Sequence, residues 1–251
     1  MELTFLGTGA AFAGDAFNAG YILDRRVLID AGAPVHVLMH RTGNRIAELE
    51  AALITHQHAD HTFGLPYVLA TRAIEAPEAP PFTIAGPPGF EDYISKLFQL
   101  AWGDHLKGMV WERLQPRFIE AVPGEDFDVA GFRVHVELMS HVPELTCLGY
   151  NFQGSGVSFG FSGDTTDCAG LRALVEVSDT VLMEMTSTIE GDHSHLSLSQ
   201  ARAIVAENPG RRFFLTHLNR RNLYYVEQGE VAGAERAEDL TTVELQPANP
   251  G

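Results

Sequence analysis

The chain has 251 residues, and 17 Lys and Arg side chains against 33 Asp and Glu side chains give a formal net charge of −16, with 11 histidines counted as neutral. The length predicts one domain over residues 1–251 with a full core, and a content of 45% apolar and 20% charged residues excludes disordered and fibrous proteins. No apolar run approaches the roughly 20 residues of a membrane span, and the N-terminus lacks the basic-then-apolar order of a signal peptide, so we expect a cytoplasmic protein without a membrane partner.

Short apolar runs separated by glycine dominate the first half of the chain, as is typical of strands buried within a sheet. We predict strands at Leu3–Leu6, Gly20–Leu23, Val27–Asp30, Ala51–Thr55 and Phe82–Ala85, and helices at Val35–His40, Leu65–Ile74 and Phe90–Ala101.

The second half begins with paired runs typical of hairpins and continues with alternating strands and helices. The pairs are Phe127–Val129 with Phe132–Leu138 and Cys147–Phe152 with Val157–Ser162, and the alternating elements are Leu171–Val175, Thr180–Met183, Ser199–Asn208 and Arg212–Thr216. A last strand is predicted at Thr242–Leu245, and the chain end, about residues 245–251, is expected to be frayed. This order of elements predicts an α/β protein with two sheets covered by helices.

The strongest functional signal is a cluster of four potential metal ligands within six residues, namely His56, His58, Asp60 and His61. The cluster follows a predicted buried strand directly and precedes a helix. Such side chains cannot converge from a regular strand or helix, but they can converge from a loop at the carboxyl end of a strand. Imidazole suits zinc and carboxylate also suits harder cations, so the cluster predicts a metal site without deciding the metal. The alternative is a solvated polar turn, which the preceding apolar strand disfavours.

Three further candidate ligands follow later predicted strands: His141, Asp164 and His217. Open α/β sheets usually place their sites at the carboxyl ends of strands, so we expect these side chains to join the first cluster. The two cysteines, Cys147 and Cys168, lie outside any CxxC pattern and predict neither a disulfide framework nor a thiolate metal site.

These motifs resemble those of the metallo-β-lactamase fold superfamily of binuclear hydrolases, and within it those of the ribonuclease Z and phosphodiesterase branch. The matching segments are Phe5–Gly9, Asn18, Leu28–Gly32, Ile54–His61, Phe63–Pro66, Leu148–Tyr150, Phe161–Thr165, Glu184–Thr186 and Thr216–His217. The resemblance implies a four-layer αβ/βα sandwich, in which two mixed β-sheets are flanked by helices. It also implies a homodimer.

The resemblance further implies two divalent metal ions, with zinc expected first and manganese or iron as alternatives. Position by position, it assigns His56, His58 and His141 to one ion, Asp60, His61 and His217 to the second, and Asp164 to both. A hydroxide held between the two metals would be the nucleophile, and Asp60 would also orient it.

A histidine outside the cluster matches a catalytic position of this branch. By position, His195 corresponds to the histidine that contacts the substrate phosphate and protonates the leaving oxygen. Glu184 resembles the glutamate that partners this histidine. The alternatives are that His195 belongs to a helix start capped by Ser197 or Ser199, and that Glu184 is an ordinary polar residue at a strand end.

The chain departs from the tRNA-processing members of this branch in one segment. Those proteins have a basic Gly/Pro-rich arm between the positions of His141 and Asp164, where this chain has only 22 residues, enough for a hairpin. The acidic charge also disfavours an extended nucleic-acid partner. We therefore expect a phosphodiesterase that acts on a small phosphodiester rather than a tRNA 3′-processing endonuclease.

A lactonase or another carboxylic-ester hydrolase is the main alternative, because the same seven ligands polarise a carbonyl as readily as a phosphoryl group. A β-lactamase is disfavoured because that branch lacks the Asp60 and His61 pair, and a di-iron redox protein because it has glutamate where His58 stands. A role in binding alone predicts lost ligands, and all seven are present.

Overall fold

Successive apolar side chains of the N-terminal strands point to opposite faces of the sheet, and both faces are buried. In the computed structural model, which describes residues 1–248, Leu3 and Phe5 pack in a core between two sheets, whereas Leu6 packs beneath helices. Strands that are buried on both faces need nearly continuous apolar runs, and this is the pattern in the sequence.

Within residues 1–248 the strands form two seven-stranded sheets. The strands of the first sheet are β1 (Glu2–Gly7), β2 (Gly20–Leu23), β3 (Val27–Ala31), β4 (Ala51–Leu53), β5 (Thr83–Gly86), β6 (Arg117–Glu120) and β14 (Thr241–Glu244). Those of the second are β7 (Asp126–Val129), β8 (Phe132–Met139), β9 (Cys147–Gly154), β10 (Val157–Phe161), β11 (Thr180–Glu184), β12 (Arg212–Thr216) and β13 (Ala234–Arg236). The orders are β14-β1-β2-β3-β4-β5-β6 and β13-β12-β11-β10-β9-β8-β7, and each sheet mixes parallel and antiparallel pairs.

The helices cover the outer faces of the sheets. They are α1 (Val35–Arg41), α2 (Ala59–Thr62), α3 (Leu65–Glu75), α4 (Phe90–Leu114), α5 (Ala169–Val177), α6 (Leu198–Glu207) and α7 (Arg220–Glu227), with a 3₁₀ turn at Ile46–Glu48. Helices α1, α3 and α4 pack on the first sheet, and α5 and α6 pack on the second. The result is the four-layer αβ/βα sandwich that the resemblance implies. No helix in the described residues combines the length and apolar content that crossing a bilayer requires.

Aromatic side chains fill the core between the sheets. The Tyr21 ring lies 5.0 Å from that of Phe161, and the Phe5 ring lies 5.3 Å from that of Phe214, measured between centroids. Offset and tilted aromatic pairs of this kind add to the free energy gained by burying their area. The Tyr21 hydroxyl forms a hydrogen bond of 2.8 Å with Thr216 Oγ1, so a polar contact also joins the two sheets beneath the site.

Most predicted elements are present, with differences where the apolar pattern is weak. The helix predicted to end at Ala101 continues as α4 to Leu114, with a kink at Gly103, whose φ of 77° breaks the helical geometry. The edge strand β6 and the helix α7 escaped prediction because β6 has only four residues with charged ends and α7 consists mostly of polar residues.

Two of the described residues in the end predicted to be frayed, about residues 245–251, contact the rest of the chain. Leu245 is buried, and its amide donates to the Met1 carbonyl. The Ala248 amide donates to Asp179 Oδ1 at 2.9 Å. Leu245 and Ala248 are therefore held against the rest of the chain, and the prediction for residues 249–251 lies outside the described residues.

Substituting Gly32 by alanine should destabilise the protein by about 1–3 kcal/mol, as expected for overpacking. A Cβ at Gly32 would lie 2.3 Å from the Asp60 carbonyl oxygen and 2.5 Å from Asn18 Cβ, so backbone would have to move. Thermal unfolding measures the effect. Gly108→Ala in α4 is the matched control, because its Cβ meets open space and alanine favours a helix by up to about 1 kcal/mol. Equal melting temperatures for the two variants would contradict the prediction.

Candidate metal centre

The ends of several strands bring the predicted ligands to one edge of the sandwich. After β4 the chain reaches His56, and His58 precedes the short helix α2, which contains Asp60 and His61. His141 follows β8, Asp164 follows β10 and His217 follows β12. Gly163 makes the turn into Asp164 with a φ of 56°, and a Cβ there would lie 2.8 Å from the Leu148 carbonyl oxygen.

One group of potential ligand atoms belongs to His56, His58, His141 and Asp164, whose nearest donor atoms all lie within 4.8 Å of one another. His58 Nδ1 is 3.0 Å from His56 Nε2 and 3.3 Å from His141 Nε2. Burial lowers the pKa values of His56 and His58, and the neighbouring imidazoles lower them further. Neutral imidazoles with converging nitrogens are the form that binds a metal.

A second group consists of Asp60, His61, Asp164 and His217, and it shares Asp164 with the first. Asp60 Oδ2 is 3.1 Å from His217 Nε2 and 3.4 Å from His61 Nε2. His61 Nε2 is buried and has no hydrogen-bond partner among residues 1–248. Burial would raise the pKa values of Asp60 and Asp164, but the adjacent imidazoles hold both well below the ordinary range. Ionised carboxylates beside an orphaned imidazole nitrogen fit a bound cation.

Four of the histidines are oriented by hydrogen bonds from their Nδ1 atoms, which leave Nε2 facing the cluster. The acceptors are Thr55 Oγ1 for His56 at 3.0 Å, Asp30 Oδ2 for His61 at 2.7 Å, the Ser194 carbonyl for His141 at 2.7 Å, and Thr186 Oγ1 for His217 at 2.7 Å. Histidines that bind metals almost always donate their other N–H in this way. The donor set therefore fits two divalent cations.

The buried carboxylate of Asp30 orients two parts of the cluster, although sequence reasoning did not select it. It accepts from the Thr55 amide at 2.8 Å and from the Thr55 hydroxyl, as well as from His61. Burial lowers the pKa of His61, but the carboxylates of Asp164 and Asp30 outweigh it and raise that pKa well above its ordinary value. Asp164 and Asp30 favour the protonated form of His61, and a cation bound at His61 Nε2 would take the place of the proton on that nitrogen. In the sequence, Asp30 could have been selected because it lies in Leu28–Gly32, one of the segments that match the superfamily.

The loop between β11 and α6 was also only partly anticipated. Asp192 accepts hydrogen bonds from the Ser194 amide at 2.8 Å, the Ser194 hydroxyl at 2.7 Å and the Ser187 hydroxyl at 2.7 Å. The Ser194 carbonyl is the acceptor for His141. Asp192 thus fixes the backbone that orients His141. In the sequence, its role is indicated only by the Asp-x-Ser spacing, which is typical of turns in which an Asp side chain binds the backbone two residues on.

His195 lies beside the two groups and contacts Glu184. Its Nδ1 is 2.7 Å from Glu184 Oε1, and its ring centroid lies 4.6 Å from that of His141. Glu184 is buried at the end of β11 and also accepts from the Thr165 and Thr186 amides. Burial lowers the pKa of His195, but the Glu184 carboxylate outweighs it and raises that pKa to about 9.

The start of α6 lies beyond His195, because Ser197 is its N-cap and forms a capping box with Gln200. Capping therefore does not account for the position of His195. Glu184 and His195 instead form a separate pair at the wall of the cluster.

A pocket of about 770 Å³ opens above the cluster. Its polar lining includes His58, Asp60, His141, Asp164, His195 and His217. Its apolar lining includes Phe12, Phe63 and several alanines, and no Lys or Arg is among its lining residues in the described part of the chain. The pocket combines a metal-binding floor with an apolar mouth.

Comparison with known proteins agrees with this geometry. A ribonuclease Z of Exiguobacterium sibiricum is 28% identical over an alignment that covers 95% of this chain and 94% of that protein. The alignment spans 296 positions, more than the 251 residues of this chain, so the relative contains segments without a counterpart here.

Solved structures share the fold. The metallo-β-lactamase fold protein YhfI of Bacillus subtilis superposes with a TM-score of 0.77 at 17% identity, covering 96% of this chain and 98% of that one. The short form of human tRNase Z superposes with a TM-score of 0.75 at 22% identity, covering 98% of this chain and all of that one. The fold class and the resemblance to the ribonuclease Z and phosphodiesterase branch are thereby confirmed.

The chain is a metal-dependent hydrolase of the metallo-β-lactamase fold, since its relatives are such hydrolases and its His/Asp cluster can bind metal ions. The sequence model of the family described as anti-Pycsar protein Apyc1 matches residues 1–236. Because that match covers nearly the whole chain, the protein belongs to the anti-Pycsar protein Apyc1 family.

Proposed function

We propose that this hydrolase is a phosphodiesterase that cleaves a small phosphodiester, with His195 as its general acid. The observation that supports this most directly is the hydrogen bond of 2.7 Å between His195 and the buried Glu184, directly beside the candidate metal ligands. An alkoxide leaving group of a phosphodiester needs a proton, and an imidazole held protonated by a carboxylate supplies one.

We propose zinc as the metal. His56, His58 and His141 would hold one ion, Asp60, His61 and His217 the other, and Asp164 both. Bound cations would supply Lewis-acid polarisation of the phosphoryl oxygens.

The residues of the chain would perform the remaining steps. His195 would donate its Nε2 proton to the leaving oxygen, because its Nδ1 is engaged by Glu184. Glu184 cannot rotate freely, since two backbone amides bind its carboxylate, and it therefore fixes the orientation of the imidazole. Asp60 would accept a hydrogen bond from the attacking water and orient it.

The pocket and the chain length support a small substrate. Strands β9 and β10 occupy most of the segment between His141 and Asp164 as a hairpin, and the remaining residues 142–146 and 162–163 are too few for an RNA-binding arm. The absence of Lys and Arg from the described pocket lining also removes the usual means of neutralising several phosphates. The relative named ribonuclease Z is longer, in agreement with this difference.

The homodimer is a further proposal that rests on the resemblance, and the cytoplasmic location is one that rests on the apolar pattern of the sequence. Light scattering on the purified protein tests the first, because a monomeric mass at micromolar concentration would exclude a stable dimer. Fractionation of producing cells tests the second.

Metal analysis combined with a substrate panel tests the proposed function. Protein supplied with zinc or manganese should contain two metal ions per chain and should hydrolyse bis(p-nitrophenyl) phosphate and a cyclic mononucleotide in preference to a simple lactone and a precursor tRNA. Lactone hydrolysis alone would favour the carboxylic-ester alternative. Cleavage of precursor tRNA alone would refute the proposal that the substrate is a small phosphodiester.

Asp164→Ala should lose at least one metal ion per chain and all measurable phosphodiester hydrolysis, because this carboxylate belongs to both groups. Metal content by mass spectrometry and circular dichroism measure occupancy and folding separately. Asp128→Ala removes an exposed carboxylate of β7 and serves as the control. An Asp164 variant with both metals would contradict the shared role.

His195→Ala should keep both metal ions and lower kcat about 10²–10⁴-fold for a cyclic mononucleotide, whose leaving group is an alkoxide. The loss should be much smaller for bis(p-nitrophenyl) phosphate, because p-nitrophenolate leaves without a proton. His193→Ala alters an exposed neighbour in the same loop and should leave both rates unchanged. Equal losses on the two substrates would exclude general-acid catalysis by His195.

A further inference from the structure

His58 differs from the other candidate histidine ligands in the way its ring is held. Its Nδ1 atom faces the cluster, 3.0 Å from His56 Nε2 and 3.3 Å from His141 Nε2. The other histidine ligands present Nε2 and use Nδ1 for a hydrogen bond to an oxygen. Within residues 1–248, the remaining nitrogen of His58 has no such partner. No hydrogen bond to a fixed oxygen therefore sets the orientation of this ring, and the backbone that carries it must do so.

Two hydroxyl groups hold the backbone around His58. Tyr93, near the start of α4, donates to the Gln57 carbonyl at 2.9 Å, and Thr62, the last residue of α2, donates to the His58 carbonyl at 2.8 Å. The two hydroxyl oxygens lie 2.9 Å apart. Each hydroxyl takes part in two of these three contacts, so removal of either one leaves a single contact.

The Tyr93 hydroxyl also joins this segment to the rest of the molecule. In the described part of the chain, it is the one group from outside residues 56–63 that forms a hydrogen bond with the backbone of residues 56–62. The position of Tyr93 is itself fixed, because its ring packs against the core beneath the helices and lies 5.7 Å from the Phe90 ring, measured between centroids. Thr62 is fully buried. Both hydroxyls are thus held by packing that does not depend on a bound metal.

We propose that Tyr93, together with Thr62, positions His58 to bind the metal ion that it shares with His56 and His141. Neither hydroxyl would touch the ion, and both would act through the backbone that carries the imidazole. Groups that orient a metal ligand in this way typically change metal affinity about 10–100-fold when they are removed. The inference rests on the ligand set given with the proposed function, and it does not depend on the substrate.

Titration of the metal-free protein with zinc, in competition with a chromophoric chelator, measures the affinity of each ion. Tyr93→Phe retains the ring and removes only the hydroxyl, and it should weaken one of the two binding steps about 10–100-fold. His58→Ala should weaken the same step at least as strongly. Thr62→Val keeps the shape of the side chain and should reproduce the effect of Tyr93→Phe. The double variant should lose less than the product of the two single losses, because the hydroxyls belong to one network.

Matched variants separate positioning from general damage. Tyr224→Phe removes the hydroxyl of an exposed tyrosine in α7 and should change neither binding step. Thr62→Ser retains a hydroxyl and should keep the wild-type affinity. Thermal unfolding of the metal-free variants measures stability independently. A loss of stability without a change in zinc affinity would show that Tyr93 has a structural role only. If Tyr93→Phe does not fold, the comparison of Thr62→Val with Thr62→Ser provides the same test.

His58→Ala distinguishes failure of this proposal from failure of the ligand set. If His58→Ala weakens neither binding step, the proposed ligand set is wrong. If it weakens one step while Tyr93→Phe and Thr62→Val leave both steps unchanged, the ligand set survives and the positioning role is refuted. The role is also refuted if Tyr93→Phe weakens only the step that His58→Ala leaves intact.

Discussion

The hydrogen bonds donated by four imidazole Nδ1 atoms determine the geometry of the whole site. An imidazole ring on a loop can rotate, and it presents Nε2 to a common point only when its other nitrogen is held. The acceptors are Asp30 in β3, Thr55 shortly after β4, and Thr186 and Ser194 in the loop after β11. Elements of both sheets are therefore needed, and the ligand set exists only when the two sheets are packed together. The aromatic core and the contact between Tyr21 and Thr216 beneath the site maintain that packing.

The site also brings together several acidic side chains that burial alone would disfavour. Asp30, Asp60, Asp164 and Glu184 are all buried at this edge of the sandwich. Each has imidazole or backbone N–H partners, and these hydrogen bonds offset the free-energy cost of burying a carboxylate. Cations that bind here would add a strong attraction between ligands of the two sheets, so metal binding would also stabilise the packed state by linkage.

The sequence predicts the local parts of this arrangement well and the long-range parts poorly. The four potential ligands at His56–His61 are visible because they are adjacent and follow a buried strand. His141, Asp164 and His217 could be proposed from their positions after strands, but their convergence depends on the packing of two sheets. Asp192 escaped prediction because it acts indirectly. It holds Ser194, whose carbonyl accepts from His141, and these two residues are 53 positions apart in the chain. The continuation of α4 follows the non-helical geometry of Gly103, and α7 consists mostly of polar residues, so neither was predicted.

The pairing of β1 with β14 has a consequence for the order in which the protein can form during synthesis. Glu2 pairs with Glu244, and Asp239 holds the loop between Thr8 and Phe17. Because β1 is synthesised well before β14, its edge stays uncovered until that later segment has left the ribosome. Until then, an apolar strand and the loop containing Phe12 have no partner on that side. Between the synthesis of β1 and that of β14, a nascent chain therefore exposes an unpaired strand edge, the feature by which unfinished chains aggregate.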